Sequence, residues 1–228
     1  MLQSVPSRIA IAKYLSVALI AVSVLAFAAY SIQFGVRGLG LDLSQVTYIY
    51  TAGGPLTNLA IFSHMLLGGM VMVLAPLQLV SRLRTRYPRV HRITGRVVVI
   101  ASILVALGGL TYIAARGTIA GPLMDVGFAV YGGLVLVAAT QAMRHARDGT
   151  IEIHSQWALR LLVLVMASMI FRVHYVLWYI LTDGLWSNEQ LTGPFDRVQY
   201  FAFYLPYLAV LEVWIRRRST GLRKVPLR

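Results

Sequence analysis

No cysteine occurs among the 228 residues, which excludes disulfides, thiolate metal sites, iron–sulfur clusters and cysteine nucleophiles. Acidic residues are also scarce: eight Asp and Glu stand against 21 Lys and Arg, a formal net charge of +13. Neither paired catalytic carboxylates, a serine-nucleophile motif nor a glycine-rich phosphate loop stands out, so a hydrolase or a nucleotide-driven pump has no support. Charged residues of both signs make up only 13% of the chain and hydrophobic residues 58%. That balance lies far outside ordinary soluble domains and identifies a membrane protein.

A bilayer core of about 30 Å needs roughly 20 apolar residues per helix. Six such runs occur, at 14–32, 58–80, 95–114, 122–143, 156–181 and 198–215, with almost nothing left for a soluble domain. They lack the period-two alternation of barrel strands and must satisfy their backbone internally, so the expected fold is an all-α, polytopic bundle of six transmembrane helices. Helices two to five are expected to form a four-helix core over 58–182. Residues 1–57 then supply a first helix and outer loop, and 183–228 an outer loop, the sixth helix and a basic tail. The stretch "YLSVALIAVSVLAFAAY" after Arg8 and Lys13 also reads as a signal peptide, but it is long enough to span and is taken as a retained helix.

Basic residues sort by loop. Arg8 and Lys13 precede the first run, six arginines lie within "SRLRTRYPRVHRITGR", Arg144 and Arg147 follow the fourth, and six more follow the sixth. Only Arg37, Arg116 and Arg197 fall on the other side, and this asymmetry puts both termini in the cytoplasm, in a bacterial inner membrane. The arginine-rich loop is drawn to anionic headgroups by about 1 kcal/mol per basic residue. Nothing resembling a DNA or RNA module accompanies the charge, so nucleic acid is not an expected partner.

His64 lies roughly 9 Å below the outer boundary of its run, and His174 roughly 12 Å below that of the fifth run. Two histidines at one depth on antiparallel helices suggest a shared site. Imidazoles facing each other across a bundle can hold haem iron, each can instead bond a neighbouring helix, or the pair can serve a proton or metal path. Gly68 and Gly69 permit close approach in any of these cases. Geometry favours one outer haem over two stacked ones, because the fourteen-residue steps from His64 and His174 reach Gln78 and Arg160, which are not usual haem ligands.

His91 and His154, in "HRITGR" and "HSQWALR", each stand just before a helix on the cytoplasmic side, where loop histidines are commonly solvated. With His145, Asp148 and Glu152 they make a mixed nitrogen and oxygen metal site conceivable, although the spacing is not that of a recognised metal motif. Arg160 can join Arg92 and Arg96 in an anion pocket at that interface. Gln78, after Pro76, offers an amide to such a pocket or to a carbonyl freed by the proline. Arg172 and His174 point to different faces and need not share a ligand. Asp125 suits a helix N-terminus, Glu212 is one turn from Arg216, and Trp157, Trp178, Trp186 and Trp214 fit aromatic belts.

The segments "HMLLGGMVMVLAPLQL", "HRITGR" and "HSQWALR" followed by "FR" resemble the bacterial membrane family called domain of unknown function 2306. The resemblance covers about residues 60–175 and rests on His64, Gly68, Pro76, Gln78, His91, Arg92, Gly95, Arg96, His154, Trp157, Arg160 and Arg172. Where that family's second basic motif has two arginines, this chain has Ser155 and Gln156, which implies a less charged cytoplasmic pocket. His174 is not part of the family pattern. The resemblance implies a four-helix core and no reaction, and its layout is similar to cytochrome b561 and ferric reductase membrane domains, a likeness of fold alone.

Ranked on these grounds, the first expectation is haem b held by His64 and His174 for transmembrane electron transfer, with His91, His154, Gln78, Arg92, Arg96 and Arg160 lining a second site for a cofactor, quinone or anion. The second is a non-redox carrier or sensor that binds an anionic substrate, lipid or proton. The third is a structural or assembly partner of a membrane complex.

Overall fold

A computed structural model describes residues 8–222, with side chains over 14–218. Arg223, Lys224 and Arg228 of the expected basic tail lie outside the described residues. The described chain is helical, with α1 Arg8–Gly40, α2 Pro55–Leu77, α3 Ser81–Arg86, α4 Pro88–Arg116, α5 Pro122–Arg147, α6 Ile151–Thr182, α7 Pro194–Ala202 and α8 Leu205–Leu222. Among the described residues six segments are long and apolar enough to cross a membrane: one each in α1, α2, α4, α5 and α6, and α7 with α8 together.

Four helices begin on a proline, Pro55, Pro88, Pro122 and Pro194. At that position the missing N–H has no intrahelical partner to lose and the fixed φ suits the helix. The helices outrun the apolar runs because backbone hydrogen bonding continues into polar turns that hydropathy does not score. His91, Arg92, Arg96 and His154, expected in or beside loops, therefore stand on helices, in the opening turns of α4 and α6. The sixth run is not one helix. It breaks at Phe203 and Tyr204, just before Pro206, which has no N–H to donate back to the Ala202 carbonyl and sits instead in the opening turn of α8.

Helices α2, α4, α5 and α6 pack in sequence, and α2 also touches α6, so the four close on one another. α1 lies along α2, while α7 and α8 pack on α5 and α6. Glycines set the closest approaches: a methyl group on Gly35 would stand 2.6 Å from the Leu66 nitrogen, and one on Gly108 would stand 2.6 Å from the Ala60 oxygen. Small residues at such crossings let backbones meet without a hydrophobic driving force between helices. Between α5, α6 and α7, the rings of Phe128, Tyr131, Phe171 and Phe203 pack with centroids 5.1 to 5.6 Å apart.

At the less basic end, fully buried Asp196 ties the 183–193 loop to α6 and α7. Its carboxylate accepts from the Tyr175 hydroxyl at 2.8 Å, the Ser187 hydroxyl at 2.7 Å, and the backbone N–H groups of Gly193 at 2.9 Å and Asn188 at 3.2 Å. A carboxylate at the third position of a helix that reaches back to the preceding N–H satisfies an otherwise orphan donor.

Candidate functional site

α2 and α4 approach so closely at Gly108 that His64 lies against Gly109, where an added methyl would meet its Nδ1 at 3.0 Å. Nδ1 is 2.7 Å from the Val105 carbonyl oxygen. A carbonyl only accepts, so Nδ1 carries the hydrogen and Nε2 of the neutral ring keeps its lone pair. Nε2 has no protein partner among the described residues. The α2–α4 crossing thus fixes both the position and the tautomer of His64.

His64 stands where two chambers join. The inner one, about 310 Å³, is walled by α1, α2, α4, α5 and α6 and includes Gly68, Ser102, Tyr131, Ser168 and Arg172. The outer vestibule, about 420 Å³, includes Tyr48, Arg116 and Thr118 at the less basic end. Tyr48, Gly109 and Phe128 border both chambers. Partial desolvation pushes the Tyr48 phenol above its ordinary pKa, against the pull of Arg172 and Arg116.

Polar groups in the inner chamber divide into spent and unspent. Tyr131 donates to the Leu164 carbonyl at 2.7 Å and Ser31 to the Met65 carbonyl at 2.8 Å. Ser102, only 1% exposed, has an Oγ without any partner. A buried hydroxyl left so costs about 1–3 kcal/mol relative to a paired one, so Ser102 is a donor open to a bound water or molecule. Arg172 donates Nη1 to the Ser168 carbonyl at 2.8 Å, and its guanidinium carbon lies 4.5 Å from the ring centroid of Phe27 on α1. Arg172 is itself exposed. The ion pairs among the described residues are Arg144 with Asp148 and Arg160 with Glu212, so Arg172 has no carboxylate opposite it.

His174 lies elsewhere. The Gln199 amide approaches its Nδ1 at 2.6 Å and the Tyr207 hydroxyl its Nε2 at 2.8 Å, so both nitrogens are engaged with α7 and α8. His64 and Arg172 share the chamber, and His174 does not line it. Two residues apart on α6, Arg172 and His174 do face different neighbours.

At the basic end, Gln78 donates to the Thr94 hydroxyl at 2.7 Å, and His154 Nδ1 meets the Ala142 carbonyl at 2.8 Å. His91 Nδ1 is buried without a partner, whereas Arg92 and Arg96 are exposed. Arg160 does not join these arginines. It forms a two-point pair with Glu212 of α8, Nε to Oε1 at 2.5 Å and Nη2 to Oε2 at 3.0 Å, and stacks over Trp157 at 4.5 Å. Glu212 therefore reaches across helices, and not only toward Arg216 one turn away. Asp125 accepts from the Thr118 N–H at 2.6 Å and so closes the α4–α5 loop. Among the described residues no three His, Asp or Glu side chains are grouped to hold a metal ion.

Ser102, Gly109 and Tyr131 carry no motif and escape sequence reasoning. The one available signal is the pair of Gly–Gly steps, Gly68–Gly69 and Gly108–Gly109, on helices that turn out to be neighbours.

No curated protein and no solved structure matches the chain. The family profile described as "Predicted membrane protein (DUF2306)" matches residues 61–215, from the second turn of α2 into α8, and includes His64, Ser102 and Arg172. The chain is a member of this family of membrane proteins.

Proposed function

We propose that the protein binds a small membrane-borne molecule in the chamber between α1, α2, α4, α5 and α6, as a carrier or sensor without redox chemistry of its own. The observation that carries this reading is that an unpaired buried hydroxyl, an imidazole with a free lone pair and a guanidinium without a carboxylate line one cavity whose remaining walls are mostly apolar. Small-molecule sites have this composition: apolar walls with a few placed polar groups. The charge asymmetry supports placing the basic end in the cytoplasm and the vestibule outside, in an inner membrane. Because the chain has no cysteine, single substitutions report this directly. A membrane-impermeant maleimide should label Ser44→Cys in intact cells and Ser81→Cys only after permeabilisation, and the reverse pattern contradicts the orientation.

Haem b for electron transfer, with a quinone as redox partner, is the second reading. His64 offers it one imidazole nitrogen, but a His64–His174 axial pair does not fit the arrangement present, since His174 would have to release Gln199 and Tyr207. One preparation separates the two. Purified in mild detergent, the protein should be colourless and should carry a small molecule detectable by native mass spectrometry. A Soret band that shifts on dithionite reduction and disappears in His64→Ala selects the haem reading instead.

A further inference from the structure

Arg172 is a cation within a candidate membrane span, Ile151–Thr182. The 32 residues of α6 span about 48 Å, and Arg172 stands about 8 Å from the midpoint; with that midpoint at the bilayer centre it falls inside the hydrocarbon half-thickness of about 15 Å. A guanidinium has five N–H donors. Among the described residues the Ser168 carbonyl is its one hydrogen-bond acceptor, and Phe27 covers one face. A charge at this depth is strongly unfavourable unless something meets it.

What would meet it is constrained by charge, access and size. Among the described residues no other Lys or Arg lines the inner chamber. Arg116 borders only the vestibule and is engaged with the Tyr50 carbonyl at 2.8 Å and the Thr51 hydroxyl at 2.6 Å. One positive charge in a low-dielectric chamber is neutralised by one negative charge, and a dianion leaves an unpaired excess. Phe27 of α1 and Arg172 of α6 line the chamber side by side and Arg172 is exposed, so the chamber's charged edge faces outward between these two helices. About 310 Å³ is at the small end of ligand cavities, which run from about 300 to 1,000 Å³. That suits one chain and not a two-chain phospholipid. Walls such as Val71, Ala106, Leu110 and Val135 suit an alkyl tail.

We infer that the chamber takes a single-chain, monoanionic amphiphile of the fatty-carboxylate type, entering from the bilayer between α1 and α6, its carboxylate on Arg172 and its tail among the apolar walls. This rests on the binding reading above and adds the ligand class. Ser102 supplies a hydroxyl donor in the same chamber, and His64 supplies an acceptor for any hydroxyl the ligand bears.

The test uses the full chain in phosphatidylcholine nanodiscs with tritiated laurate, and dodecanol and dodecyl phosphate as competitors. It is run at about pH 8, where a phosphate monoester is a dianion, its second pKa being about 6. Laurate should bind saturably, with both competitors weaker by about tenfold or more, the scale of one charge-assisted hydrogen bond. Arg172→Gln should lower laurate affinity by about tenfold and leave dodecanol within about twofold. Dodecanol equal to laurate, or dodecyl phosphate tighter than laurate, in the wild-type protein overturns the inference and leaves small-molecule binding standing. Both are read without any variant. Failure of all three to bind saturably contradicts the binding reading as well.

Discussion

Alanine at position 196 should lower the stability of the less basic end by about 3–5 kcal/mol, the upper range for a single substitution, because several buried neutral donors lose one shared acceptor. The four donors that Asp196 now satisfies, from Tyr175, Ser187, Asn188 and Gly193, would lose their acceptor together, and each buried orphan carries its own penalty. The loss should spread beyond the loop. Leu191 and Phe203 line the inner chamber, and Tyr204, on the turn after α7, donates to the Gly127 carbonyl at 3.1 Å. Asp196→Asn should be milder, because the amide retains one accepting oxygen while presenting N–H groups to donors on the other side. Thermal unfolding in detergent and limited proteolysis of the 183–193 loop check this. A wild-type melting profile for Asp196→Ala would show that the knot contributes nothing.

How far the sequence reaches depends on which physical quantity it encodes. Spans follow from hydropathy averaged over some twenty residues, and all six membrane-crossing segments coincide with apolar runs. Their ends do not, because helix termination is decided by a few residues. Pro88 starts α4 seven residues before the apolar run at 95–114, and Pro206 splits the last run in two. Side-chain partners were less legible still. Arg160 finds Glu212 fifty-two residues away, a pairing that no local spacing announces. His64 was visible as an ionisable residue at membrane depth. Its seat on Gly109 and the orphan Ser102 became visible only once α2 and α4 were neighbours. The depth match between His64 and His174 was a property of helix length. The direction each ring faces is set by packing against α4 in one case and against α7 and α8 in the other.

Phenylalanine at position 68 should abolish ligand retention while leaving the bundle intact. A Cβ at Gly68 meets nothing within 4 Å, and the residue lines the inner chamber, so the added ring has room to enter the cavity. Replacing a mid-helix glycine also removes a backbone-entropy cost of about 0.5–1 kcal/mol, so the thermal midpoint should hold or rise. The ring would occupy much of a space of about 310 Å³, and affinity for a molecule seated there should fall by about a hundredfold or more, roughly the loss of a fully buried apolar contact surface. Gly108→Phe is the contrast, since a methyl there already stands 2.6 Å from the Ala60 oxygen. That variant should fail through its fold.

The most direct measurement is therefore saturation binding of tritiated laurate to wild-type and Gly68→Phe protein in matched nanodiscs, with melting recorded on the same samples. Binding that vanishes in the variant while melting is unchanged is the predicted result. Equal binding by two well-folded samples would place the molecule outside this chamber and contradict the account.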